Sequence, residues 1–205
     1  MSITDEEALN CTSVAAWRDW LAANARTERS VWLIVDRDRF GLSAAVEHAL
    51  CFGWIDSKTV KRDDRSTYQC FTPRNPRSTW SKVNRDRITR LTAAGLMQPP
   101  GQSLVDHAKT TGTWDLLADA QNLIVPPNLQ AALDANPPAD KHFHAFPPST
   151  RRTILEWITL AKHPETRARR IHRTVTQAAQ NLRANHPAGA APTNPARRSP
   201  TTNRG

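Results

Sequence analysis

Strand-forming sequence is scarce in this chain, and that scarcity constrains the fold more than any other feature. Only VWLIV, residues 31–35, is a continuous β-branched and aromatic run, and it is too short for a helix. Two further segments alternate as strands do: the one beginning at Trp54 and Ile55, and TYQCF at 67–71. The polar stretch RDDRS (62–66) between them reads as a hairpin turn. Most of the remaining apolar residues recur every three to four positions, the helical period. The expected fold is α+β: a small antiparallel sheet backed by helices, followed by an all-helical C-terminal subdomain.

The helices can be placed from their caps and stripes. The first is expected from about Thr12 to Ala25, capped by Thr12 or Ser13, with Val14, Trp17, Leu21 and Ala25 on one side. Ser43 should cap a second, on which Val46, Ala49, Leu50 and Gly53 align, Gly53 suiting a left-handed exit. Pro73 and Pro76 end the hairpin; Ser78 should cap a third helix running through Leu91 to Ala94, with Gly95 closing it. A short helix from Gln102 to Lys109 and the loop TTGTWD follow. From Pro126 onward the pattern is helical throughout. PPNLQAALDANPP makes a short helix on Leu129, Ala132 and Leu133, and KHFHAF a single turn. PPSTRRTILEWITLAKHP should be capped by Ser149 or Thr150 and bury Ile154, Trp157, Ile158 and Ala161. Pro164 restarts a last helix with Ile171, Val175, Ala178 and Leu182 as its stripe. The domains so read are 1–125, 126–183 and a basic, proline-rich tail, 184–205, expected to be disordered because it lacks large apolar residues.

The net charge of +9 is uneven. Residues 51–100 hold ten basic against four acidic groups, and residues 151–205 hold eleven against two. Blocks of one sign attract polyanions. No apolar run approaches the roughly 18 residues of a membrane span. The acidic N-terminus lacks the plan of a signal peptide. Three widely spaced cysteines, Cys11, Cys51 and Cys70, read as reduced thiols. The expected location is the cytoplasm.

Three long motifs resemble the bacterial bacteriocin-protection family, also called OmpD-associated or OmdA-type. They are ALCFGWIDSK from residue 49, FTPRNPRSTWSKVNRDRITRLTAAGLM from residue 71, and WITLAKHPETRARRI from residue 157. With the N-terminal tryptophans they extend the resemblance from Trp17 to Leu182. It implies an association with tolerance to secreted antibacterial proteins. It supplies no reaction, cofactor or catalytic residue to carry over.

The residues themselves offer several chemistries. Cys51 or Ser81 with His48, oriented by Asp56, is a candidate nucleophile and base, but the helix stripe around Cys51 is apolar. No GxSxG, HExxH, P-loop or GxGxxG pattern occurs. Asp140, His142 and His144 could share one face of a strand as metal ligands, yet the segment lies between helices and lacks a second ligand pair. A binding surface is better represented. Trp54, Asp56, Lys58 and Arg62 in the first motif, with Arg74, Trp80, Ser81, Lys82 and Asn84 in the second, would meet at one end of the sheet if the hairpin closes. Arginine forks, tryptophan faces and a helix N-terminus then favour an anion. The competing account is structural, with both tryptophans in the core and Arg74 paired to Asp56. Arg167, Arg169, Arg170 and Arg173 form an alternative, basic helix face for nucleic acid. The expectation is a non-catalytic binding or protective protein without a cofactor. Its partner is an anionic small molecule or macromolecule, with a nucleic-acid accessory role and a small-molecule enzyme as alternatives.

Overall fold

The computed structural model describes residues 3–36 and 38–185. The chain divides into two compact units, one ending at Leu116 and the other beginning at Leu117.

The first unit runs α1 (Val14–Asn24), β1 (Val31–Asp36), α2 (Leu42–Cys51), β2 (Trp54–Lys61), β3 (Ser66–Pro73), α3 (Lys82–Ala93) and α4 (Pro99–Thr110). The expected α+β architecture is what forms. The three strands lie in the order β1-β3-β2, all antiparallel, with Val31 opposite Phe71 and Trp54 opposite Pro73. The RDDRS hairpin sits where the alternation placed it. β1 is covered on its outer side by Leu9, whose N–H donates to Trp32 O (2.7 Å) and whose carbonyl accepts from Ile34 N (2.9 Å), so this edge is not left open. The register of β2 shifts between Asp56 and Thr59. Gln69, fully buried on the central strand, fills that bulge: its amide accepts from Thr59 Oγ1 (2.5 Å) and donates to Lys58 O (3.1 Å). A polar group costs little in a core when its bonds are made this way.

The core of this unit is built on aromatic rings. Trp17 stacks on Trp20 at 5.5 Å and donates its indole N–H to Ala45 O (3.0 Å). Trp54, also buried, meets Trp20 edge-on and donates to Ala25 O (3.1 Å). Gly53, at φ +80°, turns the chain from α2 into β2, as the sequence indicated. The seam is tighter than sequence reading anticipated, because Gly101 of α4 lies directly against the last carbonyls of α2.

Several helix starts differ from expectation. Ser43 does not cap α2; Gly41 takes the N-cap position, and no side chain bonds the first turn. Ser78 does not cap α3. Its N–H bonds Asn75 O in a turn, and Ser81 is the cap, its Oγ accepting from Asn84 N at 3.3 Å. The chain must first carry Trp80 into the core, and only beyond it can a helix begin. α4 starts at Pro99, three residues before the expected Gln102, because proline is tolerated in a first turn.

The second unit contains α5 (Ala118–Gln121), α6 (Pro127–Asp134), α7 (Pro137–Ala145), α8 (Pro148–Thr159) and α9 (Pro164–Ala179). It is helical, as expected. α5 has no counterpart in the sequence reading and packs on α8. KHFHAF is the end of a full helix rather than one turn: Asn136 caps it by accepting from Ala139 N (3.3 Å). α8 begins behind Pro147 without a side-chain cap, so Ser149 and Thr150 lie inside it. Ile154 and Ile158 are buried as expected, joined by Leu155, but Trp157 is only half-buried and Ala161 lies beyond the helix. On α9, Ile171 and Ala178 are buried with Thr174, whereas Val175 is half-buried and Leu182 exposed. Thr174 can be buried because its hydroxyl donates to Arg170 O at 2.9 Å. Ala184, expected to open the tail, packs into this unit's core; residues 186–205 of the expected tail lie outside the described residues.

Candidate functional site

The hairpin motif converges less completely than its spacing implied. Trp54 and Trp80 are both core residues. Arg74, 8% exposed, lays its guanidinium 3.9 Å above the Trp80 ring and donates to Thr79 O at 2.6 Å, while Trp114 covers Trp80 from another side at 5.0 Å. Burial lowers the Arg74 pKa. No ion pair joins Arg74 to Asp56 among the described residues, so the expected pin between them is absent; Arg74 is held by a ring and a carbonyl instead. Its Nε is buried without a partner.

The polar members are dispersed. Ser81 and Asn84 serve the first turn of α3, Asn84 also accepting from Arg87 Nη1 at 3.0 Å. Lys82 pairs with Asp86 one turn on, at 3.0 Å. Asp56 is half-buried and Lys58 exposed beside the bulge. Arg62 stands at the far end of the hairpin, where it clamps the N-terminal segment: Nε and Nη2 donate to the two Asp5 oxygens (2.7 and 2.6 Å), and Nη1 donates to Asp63 (2.8 Å) and Ser66 (3.0 Å). Tyr68 also donates to Asp5, and these donors hold the Asp5 carboxyl well below the usual carboxylate range.

The nucleophile candidates are not assembled. Cys51 is buried, which pushes its thiol pKa up, and it donates only to Glu47 O. His48 faces Arg18, a partner the sequence did not single out, whose Nη1 lies 2.9 Å from His48 Nδ1. A guanidinium only donates, so Nδ1 is the acceptor and the ring proton sits on Nε2. Burial, then the Arg18 charge, lowers the His48 pKa. Arg18 also donates to Leu96 O (3.2 Å), tying α1 to the chain after α3. The Asp140, His142 and His144 series is split by its helix. His144 lies 3.2 Å from Asp140, whereas His142 Nδ1 points at Ala178 O (2.9 Å). No group of three or more His, Cys, Asp or Glu among the described residues could hold a metal ion.

A different site is built in the second unit. A cavity of about 670 Å³ opens between α9 and the α6–α7 pair. Ala132, Ala135, Ala168, Ile171 and Val175 make its apolar floor, and Asn128, Asn136, Arg167 and His172 are its principal polar groups. Among the described residues no carboxylate lines it. Asn128 Oδ1 already accepts from Leu129 N (3.0 Å), and Asn136 Oδ1 from Ala139 N (3.3 Å), which leaves each amide its NH₂. Arg167 has no acid partner among the described residues. The N-terminal end of α9 borders the cavity through Pro164 and carries no side-chain cap, so its orphan N–H groups and positive dipole end act in the same sense. Sequence reading placed Arg167 on a basic helix face but had no means of bringing it to Asn128 and Asn136, some 30 to 40 positions earlier.

Residues 122–181 match the family described as bacteriocin-protection, YdeI or OmpD-associated. The C-terminal unit is similar to this family. Residues 9–104, which carry the ALCFGWID and FTPRNPRSTWSKVN motifs, match a separate model described only as a domain of unknown function, DUF8412. The bacteriocin-protection resemblance therefore rests on the C-terminal unit and its WITLAKHPETRARRI motif rather than on the whole span from Trp17. No curated protein and no solved structure matches the chain.

Within the C-terminal unit the basic face of α9 is partly committed. Arg170 donates to Trp157 O and lies 5.0 Å over the Trp157 ring, with Arg173 5.9 Å from the same ring. These contacts join α9 to α8 and explain why Trp157 is half-buried. Arg167 and Arg169 have no such contact. The four arginines therefore differ in their contacts: Arg170 and Arg173 lie against the Trp157 ring, and Arg167 lines the cavity.

Proposed function

We propose that this protein is a cytoplasmic, non-catalytic binding protein, and that its bacteriocin-protection unit takes an anionic ligand in the cavity between α9 and the α6–α7 pair. The supporting observation is the uniform sense of the lining: Arg167 and the amide groups of Asn128 and Asn136 offer donors, and no carboxylate opposes them. Such a lining favours an acceptor over a donor, and a carboxylate or phosphate on the Arg167 fork is the strongest acceptor available. The cavity also lies in the 300–1,000 Å³ range usual for ligand clefts, by the order of magnitude of known sites. The family's association with protection against bacteriocins is compatible with sequestration of a ligand. The test is titration of the full chain with inorganic phosphate, followed by amide and guanidinium NMR shifts. Saturable shifts confined to the first turns of α9, Asn128 and Asn136, and lost in Arg167→Gln, are expected. Shifts that are absent, or unchanged in Arg167→Gln, would refute the reading.

A second reading keeps the hairpin motif as an anion surface formed by Lys58, Lys82 and the α3 N-terminus beside Arg74. It is favoured by one observation, a buried guanidinium with no carboxylate partner and an unpartnered Nε. Buried arginines are ordinarily paired with acids.

A further inference from the structure

We infer that the ligand of the α9 cavity is an amphiphile: one carboxylate or phosphate carried on an apolar body. The inference rests on the anion-binding reading above and names the ligand class. An inorganic anion on Arg167 would use one corner of a space of about 670 Å³ and leave the floor of three alanines, Ile171 and Val175 in water. Those side chains come from three places, α6 (Ala132), the turn after it (Ala135) and α9 (Ala168, Ile171, Val175). None of the floor side chains carries a group that could bond a polar ligand body. A sugar-like body would strand its hydroxyls against this floor, at the usual cost of a buried, unsatisfied polar group. An alkyl body strands nothing. The geometry thus separates two functions: donors to fix the acid, and an apolar trough to accept the chain.

The experiment is a chain-length series on the full protein. Butanoate, hexanoate, octanoate and decanoate, each below its micellar concentration, are titrated calorimetrically, with decanol as the uncharged control and an acidic peptide as a macromolecular one. Affinity should rise with length, by up to about fourfold per added methylene where the chain is fully buried. Decanol should bind at least tenfold more weakly than decanoate. Arg167→Gln should lower decanoate affinity tenfold or more and leave decanol unaltered. Ala168→Phe, at an exposed helix position inside the cleft, should abolish decanoate binding without changing the melting curve. A series flat in chain length, with phosphate shifts intact, overturns the amphiphile and spares the anion site. Decanol equal to decanoate, with Arg167→Gln silent and no phosphate shifts, removes the anion site itself. Arg167-dependent binding of the acidic peptide alone would overturn the small-molecule class.

Discussion

Gly101→Ala tests the central packing of the first unit. Gly101 is the third residue of α4, an interior helical position where alanine is intrinsically favoured by about 1 kcal/mol. Here the surroundings reverse that preference. A Cβ would stand 2.2 Å from Cys51 O, 2.6 Å from Cys51 C and 2.7 Å from Leu50 O, against an ordinary contact of 3.4 Å or more. All three atoms are backbone, so no side chain can rotate aside, and the helices must separate by about 1 Å. That movement strains the Gln98 N to Cys51 O bond (3.1 Å), a contact of about 1 kcal/mol. It also loosens Val105 and Ala108, both buried on α4. Overpacking of this kind costs roughly 1–3 kcal/mol and sometimes more. With the lost bond added and the propensity gain subtracted, the net destabilisation should be about 1–3 kcal/mol. For a unit of this size that is a fall in Tm of roughly 10 °C. Gly95, at φ +67° but with nothing within 4 Å of an added Cβ, isolates backbone strain. Gly95→Ala should cost about 1–2 kcal/mol. Calorimetry and guanidinium unfolding of the two variants provide the comparison. A Gly101→Ala protein that melts within about 2 °C of the parent, or above Gly95→Ala, would show that the α2–α4 approach does not control stability.

Arg74→Ala should cost about 2 kcal/mol, from the lost ring contact and carbonyl bond, while Asp56→Asn stays within about 0.5 kcal/mol. Equal destabilisation by the two in urea unfolding would mean that they act as a pair. His48 has a folded pKa below its ordinary value, so its contribution is fully present above the unfolded value near 6.5 and is lost as pH falls toward the folded one. His48→Gln, which can still accept from Arg18 but cannot titrate, should flatten the decline in urea midpoint between about pH 7 and pH 5; an unchanged slope would refute the assignment. Trp157→Ala should cost about 1–2 kcal/mol, less than a buried tryptophan, because the ring is half-exposed and flanked by two arginines. A loss of 4 kcal/mol or more by thermal unfolding would place the ring in the core.

What the sequence determined by itself is the class of structure and the local outline of most of its elements. VWLIV, the alternation around RDDRS, Gly53 and Gly95 as helix exits, and the prolines that open the C-terminal helices are local signals: neighbouring residues limit φ and ψ whatever packs above them. The antiparallel hairpin and the helical character of the second unit followed from these. Caps were less legible. Ser43, Ser78, Ser149 and Thr150 are all plausible caps in isolation, and what rejects Ser78 is the need to bury Trp80 before α3 begins. Only tertiary structure decided the sites. Arg74 on Trp80, Arg18 on His48 and Arg62 on Asp5 each join residues by a choice of partner that one-dimensional spacing does not encode, because a long cationic side chain can reach many positions. Gly101 gave no sign of its role, since a close approach is a property of two helices rather than of one. The α9 cavity is the clearest case. The donors left on Asn128 and Asn136 exist because each amide oxygen is used in its own helix turn, and Arg167 comes to line the same cavity only when α9 packs against α6 and α7.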